Sequence, residues 1–329
     1  MQKIGVIGAG AWGTALAIAA RRAGRDVTIW AHEPEVVSAI NDKHENTIFL
    51  SGIKLDPGIK ATSDMADALN ADAVLMVAPA QHVRGVCELA KPHWKKTTPI
   101  VLCSKGVEKN TLNLMSEVAG QVLGKDVPVA VLSGPTFAKE VANNLPTAVT
   151  LACSDETLGQ KLIDAMASKT FRPYYSPDVI GAELGGAIKN VLAIACGIVE
   201  GKKMGDNARA ALITRGLAEI ARLGLVLGAD PLTLMGLSGL GDLTLTCNAM
   251  QSRNFSLGYE LGQGKSLDAI LSERNSVAEG VPSATSVVEL AEKNQVDMPI
   301  CQAVYAVLNV EADLDSIILG LLSRPLNVE

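Results

Sequence analysis

The chain has 329 residues, of which 48% are hydrophobic and 19% are charged, so it is long enough for two domains with sizeable cores. Aromatic residues make up only 3% of the chain, and the cores must therefore be packed mainly from Ala, Leu, Val and Ile. A formal net charge of −6 and a pI near 5.4 argue against nucleic-acid binding and against an anionic-membrane surface. We therefore expect small molecules as partners.

The cysteines and histidines point to a reduced, metal-free protein. The six cysteines show no Cys-x-x-Cys spacing and lie mostly inside apolar runs, as the thiols of a cytoplasmic protein's core do. None of the four histidines pairs with a cysteine at the spacing of a zinc site, so we expect no metal. The apolar stretch 223–245 is interrupted by Asp230-Pro231 and by a glycine-rich segment, and we expect no membrane insertion.

The most informative motif is Gly8-x-Gly10-x-x-Gly13, which lies between an apolar strand pattern and an Ala/Leu/Ile helix pattern. Gly8 would allow a tight turn, Gly10 would let the backbone approach a pyrophosphate, and Gly13 would let the helix pack closely on the strand. The phosphates would be held by N–H groups at the start of the helix. This context predicts a dinucleotide-binding βαβ unit rather than a glycine-rich turn without a ligand.

Short apolar runs alternate with more polar helical stretches through the first half of the chain, which is typical of a doubly wound parallel sheet. We predict strands at 4–7, 26–30, 74–77, 99–103, 127–132 and 148–153. The run 171–178 carries two prolines and breaks this pattern. Beyond it we predict only helices, at 180–200, 207–227, around 257, and at 284–293, 301–308 and 316–322.

The predicted fold class is therefore α/β with two domains. A Rossmann-type, dinucleotide-binding domain with a doubly wound parallel sheet would span residues 1–178. An all-helical substrate and catalytic domain would span residues 179–329.

Lys189 is the best candidate for a catalytic group in the helical half. Hydride transfer to or from a nicotinamide needs a residue that moves a proton, and all four histidines lie before residue 94. Nearly every neighbour of Lys189 within 181–193 is small or apolar, which would disfavour the charged ammonium and lower its pKa toward the range of an acid/base catalyst. The alternative is a lysine that extends to solvent from an amphipathic helix.

Two motifs follow predicted strands at the carboxyl edge of the sheet, where open α/β proteins bind ligands. Lys105 comes after the strand that ends at Cys103. Gly134-Pro135-Thr136 comes after the strand that ends at Leu132, and would offer N–H groups and a hydroxyl to an anion. An ordinary helix N-cap explains this second motif nearly as well.

A third motif surrounds Asp242 in the glycine- and leucine-rich stretch 236–246. A carboxylate is costly to bury there without a partner, so we expect Asp242 to meet a cation such as Lys189. Arg253 follows soon after, and its planar guanidinium suits bidentate contact with a phosphate.

Motif blocks now run, in order, almost the length of the chain: GAGAWGTALA at 8–17, SKG at 104–106, SGPTFA at 133–138, GGAIKN at 185–190, LGDL at 240–243, SRN at 252–254 and EG at 279–280. Together they resemble the bacterial type of NAD(P)-dependent sn-glycerol-3-phosphate dehydrogenase. The resemblance implies reversible reduction of dihydroxyacetone phosphate to glycerol 3-phosphate, an entry step to phospholipid backbones. It also implies that Lys189 carries the catalytic proton transfer.

The resemblance further implies two sets of binding residues. The substrate would be held by Lys105, Gly134, Thr136, Lys189, Asp242, Ser252, Arg253 and Asn254. The cofactor site would be formed by Gly8, Gly10, Ala11, Trp12, Gly13, His32, Lys105, Ala138, Arg253, Val277 and Glu279.

Two departures from the family pattern bear on the cofactor. Ala11-Trp12 stands where members often carry Ser and an aromatic residue, which removes a hydroxyl near the pyrophosphate. His32, which would favour a 2′-phosphate, is followed directly by Glu33, which would instead accept from a ribose 2′-hydroxyl. NADH and NADPH both stay open as cofactors, with NADPH slightly favoured by the resemblance.

Two alternative functions are a two-domain reductase of a different keto or hydroxy acid and a non-catalytic NAD(H)-sensing module. The Asp242 and Arg253-Asn254 blocks argue against the first. A sensor would not need Lys189 among glycines, and the sequence shows no basic recognition helix for it. A homodimer is one option for the assembly.

Overall fold

The computed structural model describes residues 1–274, 278–310 and 312–325. These residues form two compact units. The first comprises Met1–Lys105 and Asn113–Glu183, and the second comprises Gly106–Leu112 and Leu184–Glu329. The sequence predicts a domain boundary at residue 178. In the structure the first unit extends to Glu183, and residues 106–112 belong to the second unit.

The first unit, all of whose residues are described, is built on one eight-stranded sheet. Its strands are β1 (Lys3–Ile7), β2 (Asp26–Trp30), β3 (Ile59–Thr62), β4 (Ala73–Met76), β5 (Ile100–Leu102), β6 (Val129–Ser133), β7 (Thr147–Cys153) and β8 (Phe171–Ser176). The spatial order is β3-β2-β1-β4-β5-β6-β7-β8. The reversal beside β1 is the switch point of a doubly wound sheet, which confirms the predicted fold class.

Helices cover both faces of this sheet. They are α1 (Ala11–Arg22), α2 (Pro34–Lys43), α3 (Met65–Leu69), α4 (Val83–Ala90), α5 (Met115–Leu123), α6 (Ala138–Ala142) and α7 (Glu156–Met166). Alternate residues of one strand enter different cores: Leu75 of β4 packs in the core shared with α1, and Met76 packs in the core shared with α4 and α5. The inner strands β1, β4, β5, β6 and β7 are mostly buried on both faces, which is why they read as continuous apolar runs.

Three features of the sheet correct the predictions. β3 was not predicted because its four residues are too few to show a pattern around the exposed Lys60. The run predicted to break the sheet is β8, which pairs in parallel with β7. Pro173 is tolerated there because β8 is the edge strand and a proline lacks only an N–H that would face outward. β6 and β7 are antiparallel, not parallel as expected.

The elements after β8 are all helices among the described residues. They are α8 (Val179–Gly201), α9 (Asp206–Leu227), α10 (Pro231–Leu234), a π-helical turn (Leu237–Gly241), α11 (Asp242–Cys247), α12 (Arg253–Gly262), α13 (Leu267–Ser272), α14 (Gly280–Lys293), α15 (Pro299–Asn309) and α16 (Leu314–Leu322). The two long predicted helices are present within two residues at each end. The short elements between 231 and 247 were missed, because glycines and prolines there obscure the helical period.

α8 is, within the part of the chain that the structure describes, the one helix long and apolar enough to cross a membrane. Of its most apolar window, 89% is buried inside the protein, as expected of a core helix. The stretch 223–245, weighed above as a span, is divided among α9, α10, the π-helical turn and α11.

Glycines allow α8 and α12 to pack with their backbones nearly in contact. A Cβ on Gly197 would lie 2.0 Å from the carbonyl oxygen of Phe255, and one on Gly258 would lie 2.0 Å from that of Ile194. Neither position can hold a larger residue without moving a helix. This packing fixes the start of α12 beside the middle of α8.

Glu183, in the first turns of α8, is a buried acid whose partner is the start of α5. Its carboxylate accepts hydrogen bonds from the backbone N–H of Ser116 at 2.8 Å and from the Ser116 hydroxyl at 2.6 Å. It thereby satisfies a donor that the first turn of α5 leaves without a helical partner. Burial nevertheless raises the pKa of Glu183 to about 7, and the bonds from Ser116 oppose part of that shift.

Because the pKa of Glu183 is higher in the folded protein than its ordinary value of 4.5, the folded state binds more protons between the two values. Stability therefore falls as pH rises through this window, by up to about 1.4 kcal/mol per pH unit. Glu183→Gln should flatten this dependence, so that the variant gains stability relative to wild type from about pH 5 to about pH 7. Urea unfolding at several pH values measures the difference. Parallel curves for the two proteins would contradict the assignment, and Glu88→Gln, at an exposed position of α4, is the control.

Candidate functional site

In the N-terminal motif, Gly8 and Gly13 have the geometry that the spacing predicts, and the contact of Gly10 with a pyrophosphate stays a prediction. Gly8 has φ of +111°, a left-handed conformation that favours glycine. A Cβ on Gly13 would lie 1.8 Å from the carbonyl oxygen of Gly8, so only glycine lets α1 start this close to β1. A Cβ on Gly10 would meet no atom within 4 Å. Gly10 therefore leaves open space where another residue would carry its side chain.

The start of α1 is suited to an anion. Gly10 is the N-cap, Ala11, Trp12 and Gly13 form the first turn, and no side chain caps this end. The N–H groups of the first turn therefore stay available, and the helix dipole favours negative charge there. The indole Nε1 of Trp12 is buried without a hydrogen-bond partner among the described residues, and it offers one further donor.

Three predicted residues meet at the carboxyl edge of β5 and β6. Nζ of Lys105 donates a hydrogen bond of 3.0 Å to the carbonyl oxygen of Gly134, and the hydroxyl of Thr136 donates to the same oxygen at 3.2 Å. Gly134 has φ of +149°, so a side chain would be strained there. Ala138 follows as the first residue of α6. The motif therefore forms a turn in which the carbonyl oxygen of Gly134 holds the ammonium of Lys105 in place.

His32 and Glu33 follow β2 at the same edge of the sheet. His32 is exposed, and its ring lies 6.2 Å from that of Trp30 at an angle of 49°. Glu33 is half-buried and is the N-cap residue of α2, without a capping bond from its side chain. Both residues follow the second strand of the sheet, and their contact with an adenosine ribose stays a prediction.

In the second unit, Lys189 of α8 forms a buried ion pair with Asp242 of α11. Nζ lies 2.6 Å from Oδ1 of Asp242 and donates a second bond, of 2.8 Å, to the hydroxyl of Thr246. That hydroxyl donates in turn to Oδ1 of Asp242 at 3.3 Å. The side chains of Lys189 and Asp242 are 8% and 0% exposed. The expectation that Asp242 meets this cation is confirmed, and the alternative of a solvent-exposed lysine is wrong.

The backbone around this pair explains its position. The π-helical turn ends where α11 begins with Asp242, and such turns are frequent at functional sites. A Cβ on Gly185 would lie 2.4 Å from the carbonyl oxygen of Ser238 in that turn. Gly185 therefore lets α8 approach the turn one helical turn before Lys189, so that the ammonium reaches the carboxylate. Burial raises the pKa of the neighbouring Cys247 thiol well above its ordinary value, so that thiol stays neutral.

A second polar network joins α8, α12 and α14. The side-chain amide of Asn254 donates to Oδ1 of Asn190 at 2.9 Å and accepts from the backbone N–H of Gly280 at 2.9 Å. Ser252 caps α12 by accepting from the N–H of Phe255. The network thus ties the start of α12 to the helix that carries the lysine.

The other predicted residues of this unit stand around that network. Arg253 is the exposed first residue of α12, and Glu279 directly precedes α14. Val277 lies outside the described residues. Sequence reasoning missed Thr246 and Asn190 as partners of the site. The spacing of Thr246, four residues after Asp242 on a helix, was the available signal. No group of three or more His, Cys, Asp or Glu side chains is placed to hold a metal within 1–274, 278–310 and 312–325.

Comparisons with known proteins match the whole chain to one family. Residues 3–159 match the family model of the NAD-dependent glycerol-3-phosphate dehydrogenase N-terminus, and residues 178–319 match that of its C-terminus. The glycerol-3-phosphate dehydrogenase (NAD(P)+) of Rhodospirillum rubrum is 62% identical over 330 residues, covering 100% of this chain and 94% of the relative. That of Caulobacter vibrioides is 60% identical over 328 residues, covering 100% and 99%.

Solved structures agree with this match. The crystal structure of glycerol-3-phosphate dehydrogenase from Coxiella burnetii superposes with a TM-score of 0.94 at 40% identity, over 98% of this chain and 99% of that one. A PanE/ApbA family ketopantoate reductase from Ralstonia eutropha has a TM-score of 0.60 at 17% identity, covering 96% and 100% of the two chains. This second likeness is one of fold alone. The resemblance drawn from the motif blocks is confirmed, and the chain belongs to the NAD-dependent glycerol-3-phosphate dehydrogenase family.

Proposed function

We propose that this protein catalyses the reversible NAD(P)-linked reduction of dihydroxyacetone phosphate to sn-glycerol 3-phosphate. The observation that carries the proposal is the buried pair of Lys189 and Asp242, set within motif blocks of a family that matches the chain along its length. The pair presents an ammonium in a site of low polarity, where a proton donor is most effective. The product would feed glycerophospholipid synthesis.

The first unit fits a dinucleotide. The glycine turn, the uncapped start of α1 and the buried Nε1 of Trp12 offer N–H donors to a pyrophosphate. When bound, the nicotinamide supplies the hydride that reduces the carbonyl carbon. The proposal assigns to cofactor binding Gly8, Gly10, Ala11, Trp12, Gly13, His32, Lys105, Ala138, Arg253, Val277 and Glu279.

Lys189 is proposed to donate the proton that accompanies reduction. As the carbonyl carbon gains a C–H bond, the electron pair of the C=O π bond moves to oxygen, and Nζ gives that oxygen a proton. Asp242 stays a carboxylate, holds the ammonium in place at 2.6 Å and stabilises its charge before transfer. Thr246 fixes a second N–H direction of the same ammonium. In the reverse reaction, neutral Lys189 takes the proton from the alcohol.

The substrate is proposed to be held through its phosphate and hydroxyl groups. In the second unit Arg253 is the expected phosphate partner, because its exposed guanidinium can form paired bonds to phosphate oxygens. Asn254 and Ser252 have backbone positions fixed by the α12 network and cap. The proposal assigns the same role to Lys105, Gly134 and Thr136 of the first unit and to Lys189 and Asp242 of the second.

A cytoplasmic location and a homodimer complete the proposal. All six cysteines are free and buried, which suits a reducing compartment. The homodimer stays a prediction that light scattering on the purified protein would decide.

Lys189→Ala should lower kcat by about 10²- to 10⁴-fold, since a general acid contributes a rate factor of that size. The affinity for NADPH should stay nearly unchanged, because Lys189 belongs to the second unit and the proposed pyrophosphate site is the glycine turn of the first unit. Steady-state oxidation of NADPH with dihydroxyacetone phosphate measures the first quantity, and cofactor fluorescence titration measures the second. Lys202→Ala, which removes a partly exposed ion pair with Asp315 just after α8, is the matched control.

A Lys189→Ala enzyme that retains more than about a tenth of wild-type kcat, with chemistry rate-limiting, would exclude Lys189 as the proton donor.

Cofactor preference is proposed to depend on His32 and Glu33. His32 can donate a hydrogen bond to a 2′-phosphate, so the ratio of kcat/KM for NADPH over NADH should exceed one. His32→Ala should lower that ratio. A ratio that is indifferent to His32 but inverted by Glu33→Ala would instead show that the acid binds the ribose and selects NADH. The measurement is this ratio in wild type, His32→Ala and Glu33→Ala.

A further inference from the structure

Asn46 lies between α2 and β3 and is completely buried although it is polar. Its amide nitrogen donates to the carbonyl oxygen of Ala9 at 2.8 Å and to the hydroxyl oxygen of Thr14 at 2.8 Å. Its amide oxygen accepts from the backbone N–H of Phe49 at 3.0 Å. Asn46 therefore connects its own loop to the middle of the glycine turn.

The bond to Ala9 fixes the direction of a peptide group, not merely of one atom. Ala9 lies between Gly8 and Gly10, and the peptide that it forms with Gly10 is trans. In a planar trans peptide the C=O and the N–H point in opposite directions. A carbonyl of Ala9 that is held on Asn46 therefore turns the N–H of Gly10 away from the buried amide.

Thr14 closes this arrangement from α1. Its hydroxyl accepts from Asn46 and donates to the carbonyl of Ala9, the latter at the longer distance of 3.4 Å. Without Asn46, the buried carbonyl of Ala9 would keep only this weaker bond. Rotation of this peptide changes φ of Gly10, which has few steric limits, so the peptide would then rotate more easily.

We propose that Asn46 is a positioning residue for the dinucleotide: it holds the Ala9–Gly10 peptide with its N–H ready for the pyrophosphate. This inference rests on the cofactor site proposed above for the glycine turn. Its effect is pre-organisation, so removing it should weaken cofactor binding more than it changes the chemical step.

The test compares Asn46→Ala and Asn46→Asp with Asn41→Ala. Asn41 is the control because its amide also bonds to backbone, tying α2 to β3 through two bonds of 2.9 Å with Ala61, but does not touch the glycine turn. The readouts are the equilibrium dissociation constants of NADPH and NADH without substrate, KM and kcat, and the melting temperature without ligand.

Both Asn46 variants should bind the cofactors about tenfold more weakly and raise cofactor KM similarly, with kcat at saturating cofactor within about twofold of wild type. Asn41→Ala should also lower the melting temperature but leave cofactor affinity unchanged. Thr14→Val, a milder change to the same network, should weaken binding about threefold and serves if the Asn46 variants do not fold.

Unchanged cofactor affinity in the Asn46 variants and in Thr14→Val, or an equal loss in Asn41→Ala, would overturn the inference while leaving the proposed function intact. Failure of the wild-type protein to bind either cofactor would overturn the proposed function and this inference with it.

Discussion

The second unit depends on one interaction, the buried ion pair between Lys189 and Asp242. Removing two charges from water is expensive, and the attraction between them offsets the expense only when distance and hydrogen bonding are favourable. Here Nζ and Oδ1 are 2.6 Å apart, and Thr246 satisfies a further donor of the ammonium. The surrounding backbone supports this geometry. Gly185 leaves room for the π-helical turn that precedes Asp242, and the glycines of α8 and α12 let these helices pack so closely that Asn254 lies beside Asn190. The unit thus keeps the ammonium of Lys189 buried beside its charge partner.

The candidate site of the first unit is formed mostly by backbone groups, so its geometry depends on what holds the backbone in place. Gly8 and Gly13 shape a turn that would strain or clash with any other residue at those positions, and Gly10 leaves open space beside it. The conformational freedom of glycine would also leave such a turn poorly defined. Asn46 supplies the missing constraint from a loop distant in sequence. At the edge of β5 and β6, the carbonyl of Gly134 likewise fixes the ammonium of Lys105. In this account, the glycines let a ligand approach the backbone, and the buried polar side chains fix the direction in which backbone groups point.

Sequence reasoning succeeded where local pattern and chemistry carry the information. The glycine spacing predicted the turn, and the cost of burying Asp242 predicted its pairing with Lys189. It failed where the outcome is set by distant partners. The antiparallel direction of β7 and the edge position of Pro173 follow from sheet order, which no local window contains. Asn46 reads as an ordinary loop residue, since its partners Ala9 and Thr14 lie more than thirty residues earlier. The binding roles inherited from the family resemblance stay predictions.

The claim that Asp242 sustains the ammonium of Lys189 as proton donor is tested most directly by the pH dependence of kcat in Asp242→Asn. Without the carboxylate, a buried ammonium loses its charge partner and its pKa falls. The alkaline limb of kcat for reduction should therefore move to lower pH, by about one unit or more, whereas Thr246→Val, which keeps the carboxylate, should leave the limb near its wild-type position. An active Asp242→Asn enzyme whose alkaline limb coincides with that of wild type would contradict the account.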